Sequence, residues 1–155
     1  MYNLFKYLKE VEGRLISISN LVNLYDNQKL DINLADEIKS LIYNGVDPST
    51  DDNFSIRYAS RNGYIEIVKL LLQDDRVDPS VGYNEAIGMA SMNGHLEIVK
   101  LLLQDSRVDP SDHFNFTILI AYEKGHREFI KLLLQDDRVK DSLTREEYLN
   151  LKSNI

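Results

Sequence analysis

His95 and His126 are the side chains best suited to binding a metal or moving a proton, and they stand 31 positions apart in matching surroundings, "NGHLEIVKLLL" and "KGHREFIKLLL". A shared metal needs ligand bonds near 2 Å. Two side chains held at the same place in successive copies of one unit are a whole unit apart, so both are read as structural. His113 has no partner at ligand spacing. The acidic pairs Asp51-Asp52, Asp74-Asp75 and Asp136-Asp137 lack the alternating oxygen ligands and central glycine of a calcium loop and read as solvated turn acids. The absence of cysteine excludes thiolate metal sites, thiol nucleophiles and disulfides. None of the glycines forms a GxGxxG or a phosphate loop. Residues able to do chemistry are present without a catalytic arrangement, so the expectation is a non-enzymatic chain with no cofactor and no metal.

The charge narrows the partners. Twenty-five acidic against 18 basic residues give a net charge of −7, spread along the chain, with Lys and Arg occurring singly. Such a surface repels phosphate backbones and anionic lipid, so neither nucleic acid nor a membrane is expected as a partner. No apolar run approaches the roughly 18 residues of a membrane span. The start "MYNLFKYLKEVEG" lacks the apolar core of a signal peptide, and an intracellular location, cytoplasm or nucleus, is expected.

The elements that position these side chains are copied. "LLLQDDRVDPS" (residues 70–80) returns as "LLLQDSRVDPS" (101–111) and, altered, as "LLLQDDRVKDS" (132–142). A step of 31 aligns Val46/Val77/Val108/Val139, Asn53/Asn84/Asn115, Ala59/Ala90/Ala121 and Gly63/Gly94/Gly125. A fixed period of this size means a stacked array of small supersecondary units. In the first full copy Ile56, Ala59 and Ser60 share one helical face, Gly63 interrupts, and Ile65, Val68, Leu71 and Leu72 form a second apolar stripe. The expected unit is helix, tight turn, longer helix. Each Asn is expected to N-cap the first helix, each Gly to end it with a positive φ, and Glu66/Lys69, Glu97/Lys100 and Glu128/Lys131 to pair on a solvated face.

The ends should cover the stack. Leu4, Leu8, Val11, Leu15, Ile18, Val22 and Tyr25 follow helical spacing, read as short capping helices before a degenerate first copy whose second helix runs from Leu34 to Tyr43, capped by Asn33. A docking or self-associating role of residues 1–30 is the alternative. "TREE" (144–147) is a capping-box sequence opening a last helix to about Lys152.

"ASRNGYIEIVKLLL", "ASMNGHLEIVKLLL" and "AYEKGHREFIKLLL" resemble the second half of the ankyrin repeat, "AAxxGHLEIVxLLL". The resemblance covers Val46 to Val139 and extends weakly back to Ala35. It implies an all-α ankyrin-repeat solenoid of stacked helix-turn-helix units with short hairpin or turn connections and helical caps, arranged as 1–45 (cap and degenerate repeat), 46–76, 77–107, 108–138 and 139–155 (C-terminal cap) in one continuous domain. The near-verbatim copies are similar to the expanded ankyrin families of giant DNA viruses and amoebae. The sequence departs from the family by carrying "FSIR", "EAIG" and "FTIL" where "TPLH" is usual, and by a period of 31 rather than about 33 residues.

The resemblance also implies function, namely a protein-interaction module, monomeric, adaptor or competitor, that holds a protein partner on its concave face. Mapped residue by residue, contacts fall on Arg61, Met92 and Glu123, and on Arg57, Gly88 and Leu119 one turn earlier. The hairpin tips correspond to Thr50, Asp51 and Asp52, then Val81, Gly82 and Tyr83, then Asp112, His113 and Phe114. Tyr58, Tyr83, Phe114 and Tyr122 are aromatic where their counterparts differ, and aromatic residues are favoured interface anchors.

Overall fold

The computed structural model describes residues 33–155, which hold helices α1 (Leu34–Tyr43), α2 (Thr50–Asn62), α3 (Ile65–Leu71), α4 (Val81–Met92), α5 (Leu96–Leu102), α6 (Asp112–Glu123), α7 (Arg127–Leu133), α8 (Asp137–Ser142) and α9 (Arg145–Ser153), with no strand among them. The amphipathic stretch from Leu4 to Tyr25, with both roles considered for it, lies outside the described residues. α2, α4 and α6 stack side by side as a row of first helices, while α1, α3, α5, α7 and α9 form the second row. Between the rows lies a core repeated at each step: Ile56, Ala59, Val68, Leu71 and Val77, then Ile87, Ala90, Val99, Leu102 and Val108, are fully buried. Each large aliphatic side chain there contributes about 1.5–3 kcal/mol, and each lies at a position copied in the sequence.

The first and last helices and the Gly turns end as expected. The Asn33 side chain caps α1 by accepting from the Asp36 N–H, and Thr144 with Glu147 forms the capping box of α9. Gly63, Gly94 and Gly125 have φ of +79°, +80° and +71°. Glu66–Lys69, Glu97–Lys100 and Glu128–Lys131 pair at 2.7, 2.6 and 2.8 Å on the outer side. The second helix of each copy, expected to be the longer, is the shorter: α3, α5 and α7 have seven residues each. Their final turn tightens to i→i+3 bonds, such as Asp74 N–H to the Leu71 carbonyl at 3.1 Å, which ends the helix early.

The Asn residues overturn the expected cap. Asp51, Asp52 and Asn53 all adopt left-handed helical angles, φ 54–57° and ψ 36–48°, as do Gly82, Tyr83 and Asn84 and His113, Phe114 and Asn115. Each first helix thus opens with one left-handed turn, closed by an N–H to carbonyl bond from Asn53 to Ser49, Asn84 to Ser80 and Asn115 to Ser111. The Asn side chain serves the next copy instead of its own helix. Asn53 Oδ1 accepts from the Asp78 N–H at 2.8 Å and Asn84 Oδ1 from the Asp109 N–H at 2.8 Å. Asn115 Oδ1 accepts from the Ser142 hydroxyl at 2.7 Å. Asn suits the position because it tolerates the left-handed region better than most residues and carries the acceptor that satisfies a part-buried N–H of the neighbour.

The copied "QDxRVDPS" is a second weld. Asp74 and Asp136, expected as solvated turn acids, are instead mostly covered, as is Asp105, and the three hold the guanidinium of Arg76, Arg138 and Arg107 respectively through two oxygens each. These hydrogen bonds from arginine keep all three carboxyls below the ordinary aspartate range. Arg107 then donates to the Val77 carbonyl at 2.7 Å and Arg138 to that of Val108, one copy back. In the turn that follows, Asp78 and Asp109 accept from the backbone N–H and hydroxyl of Ser80 and Ser111.

Candidate interaction surface

The left-handed turns hold the residues mapped from the family to the hairpin tips, and the side chains placed there are those at which the copies disagree. Asp51 and Asp52 are exposed in the first turn. Tyr83 is 72% exposed in the second, and Phe114 is 90% exposed in the third beside exposed His113. A bulky side chain at positive φ is a genuine outlier that costs roughly 1–2 kcal/mol. Tyr83 and Phe114 bear that cost at φ +57° while burying little. Held strain of this kind clusters at binding and catalytic sites.

These rings meet. The Tyr83 and His113 centroids lie 5.3 Å apart, His113 and Phe114 6.2 Å, and His113 stacks on Phe116 at 5.8 Å. Phe116, not singled out in the sequence, completes the cluster. Its ring lies against Gly88, where an added β-carbon would stand 3.1 Å from two ring carbons. A glycine inside a helix, 28 residues before an aromatic, was the signal for that contact.

The remaining sequence-derived positions divide. Arg57 is half-buried and committed to the stack: Nη1 pairs with Glu85 at 2.6 Å and Nε donates to the Asp52 carbonyl at 3.1 Å. Tyr58 packs on the core and on Phe54. Val81 and Met92 are half-buried. Asp112 is also half-buried, its carboxylate accepting from Asn84 Nδ2 at 2.9 Å and the His113 N–H at 2.7 Å. Arg61, Leu119, Tyr122 and Glu123 are exposed.

The two repeated imidazoles are structural. His95 Nε2 lies 3.0 Å from the Arg61 carbonyl and His126 Nε2 3.5 Å from that of Met92. Each imidazole therefore sits at the end of the preceding first helix, where carbonyls lack intrahelical partners. Among the described residues no group of three or more His, Cys, Asp or Glu is placed to hold a metal ion, and no helix is long and apolar enough to cross a membrane.

The family model for ankyrin repeats, in three copies, matches residues 29–113 and 56–146, together well over half of the chain. The chain belongs to the ankyrin-repeat family. Ankyrin repeats are protein–protein interaction modules and typically lack enzymatic activity. In this ankyrin stack each first helix opens with a left-handed turn. No curated protein and no solved structure is significantly similar to the chain.

Proposed function

We propose that this ankyrin chain is a non-enzymatic binding module, working inside the cell as a monomer, that holds a protein partner on the tips and first helices of its second and third repeats. The observation that carries the reading is the exposed ring cluster of Tyr83, His113, Phe114 and Phe116, built at positions that vary between otherwise copied units and partly held in strained backbone. Aromatic anchors of this kind dominate binding energy at interfaces. The charge of −7 favours a partner surface that is not itself strongly acidic. Residues 1–45 and 139–155 serve as caps of the same continuous domain in this reading.

Affinity capture from the native cell with the wild type and with Tyr83→Ala/Phe114→Ala tests it. The expected result is loss of the specific partner from the double variant, which keeps its helical circular dichroism. An unchanged set of captured proteins would overturn the assignment. Self-association through residues 1–30 predicts instead an oligomer that disperses when the chain starts at Asn33, as sedimentation would show.

A further inference from the structure

Each internal first helix is covered along one side by the next. Arg57 on α2 is met by Glu85 of α4, and Gly88 on α4 is met by Phe116 of α6, the same two positions one step on. Ser60 and Ser91 are fully buried on the same side. Their counterparts on α6 are Leu119 and Tyr122, which remain 46% and 38% exposed. Among the described residues nothing closes the stack over this side of α6. α8 ends the row of tips through Ser142 on Asn115 and buried Val139, and α9 ends the second row by packing on α7 with Leu151 buried. α6 packs mainly on α4 and α7, and no further first helix follows it among the described residues.

We infer that this open side of α6 is a docking site for an amphipathic helix of the partner protein, laid where a fourth first helix would lie. The inference rests on the reading above and specifies the form of the partner. The surface continues an interface that the molecule already makes twice, helix on helix at about 8–10 Å, so a helix is the shape it fits. Size sets the sequence of that helix. At the preceding step the small residue is on the receiving helix, with Gly88 under Phe116; on α6 the receiving residues Leu119 and Tyr122 are large. A complementary helix therefore presents Gly, Ala or Ser inside an apolar stripe at i, i+3/i+4 and i+7. A second copy of this chain fits poorly: it would set large side chains against large ones and bring together two molecules of charge −7.

The test uses the full chain as bait for displayed random peptides of roughly 16 residues, about four helical turns, with enriched peptides resynthesised carrying a fluorophore. The expected outcome is a shared apolar stripe interrupted by a small residue, helicity gained on binding, and affinity weakened about tenfold or more by Leu119→Lys. That exposed substitution should leave the circular dichroism of the chain unchanged. No enriched peptides, enriched peptides that bind while extended, or affinities indifferent to Leu119→Lys would overturn the inference. So would a dimer of the chain dispersed by Leu119→Lys, since the face would then be covered by a copy. Peptides indifferent to Leu119→Lys but lost on Tyr83→Ala/Phe114→Ala would sink only the helix site; indifference to both would sink the proposed binding face as well.

Discussion

His95 closes over Gly63: its Nε2–H donates to the Arg61 carbonyl at 3.0 Å, and a β-carbon added at residue 63 would stand 2.7 Å from the ring. Gly125 has a similar φ of +71° but nothing within 4 Å of such a carbon. Gly125→Ala should therefore cost only backbone strain, roughly 1–2 kcal/mol. Gly63→Ala should cost about 1–3 kcal/mol more as the imidazole is displaced. Urea unfolding of both variants checks this; equal losses would mean that the ring gives way freely.

The Asn residues offer a second paired comparison. Asn84 donates to the Asp112 carboxylate while accepting from the Asp109 N–H; Asn53 has the second interaction without the first. Asp preserves the acceptor and also tolerates the left-handed region. Asn84→Asp should lose about 2–3 kcal/mol by setting two carboxylates together, and Asn53→Asp less than about 1 kcal/mol. A similar effect at both sites, read from denaturant midpoints, would show that the Asp112 contact carries no weight.

Acid should loosen the stack in a defined window. The carboxyls of Asp74, Asp105 and Asp136 are lowered chiefly by hydrogen bonds from Arg76, Arg107 and Arg138. A depressed folded value means the stabilisation is fully present above the unfolded aspartate value near 3.9 and is lost as pH falls through the folded values. Stability should be nearly flat from neutrality to about pH 5 and decline below about pH 4. Arg107→Gln should make that decline shallower, as urea midpoints across the pH range would report. An unaltered slope would contradict the clamp.

At Phe114, stability and binding should move in opposite directions. The side chain sits at φ +57° and buries little, so Phe114→Gly should relieve strain and raise stability by roughly 0.5–1 kcal/mol. The same change removes an anchor from the proposed face and should weaken partner binding. Thermal denaturation and capture measured on one preparation decide it, and a destabilised variant would assign Phe114 to packing.

The two helices of each copy, the Gly turns, the Asn33 cap and the Thr144–Glu147 capping box could be read from the residues because each is encoded within a few positions of itself, and the period because the copies are nearly verbatim. The left-handed turns could not. Asp-Asp-Asn, Gly-Tyr-Asn and His-Phe-Asn share only the Asn, and Asn is favoured both at an N-cap and at positive φ, so local propensity does not separate the two. What decides is the Asp N–H arriving from 25 residues away, a tertiary fact. Phe116 is not legible for a related reason. Phe54 and Glu85 at its position showed no common type, and the relation that exposes its role runs to Gly88, along the stack rather than along the chain. Arg57 shows the opposite failure, a variable exposed-looking residue that belongs to the scaffold through Glu85.

The last rung of the tip ladder is a hydroxyl, Ser142, where the two earlier rungs are backbone N–H groups. That difference lies on the donor side alone, because the acceptor is the same Asn Oδ1 at every rung. A copy of residues 77–107 spliced in after Arg107 would find on each side the Asn acceptor, the Asp N–H and the arginine-to-valine weld it already uses. The same cassette placed after Arg138 would give its Asp78 N–H to Asn115 and offer its own Asn84, 27 positions before Ser142, to the hydroxyl that Asn115 now receives. Duplication can thus lengthen the stack at either junction, with α8 carried outward as its last rung.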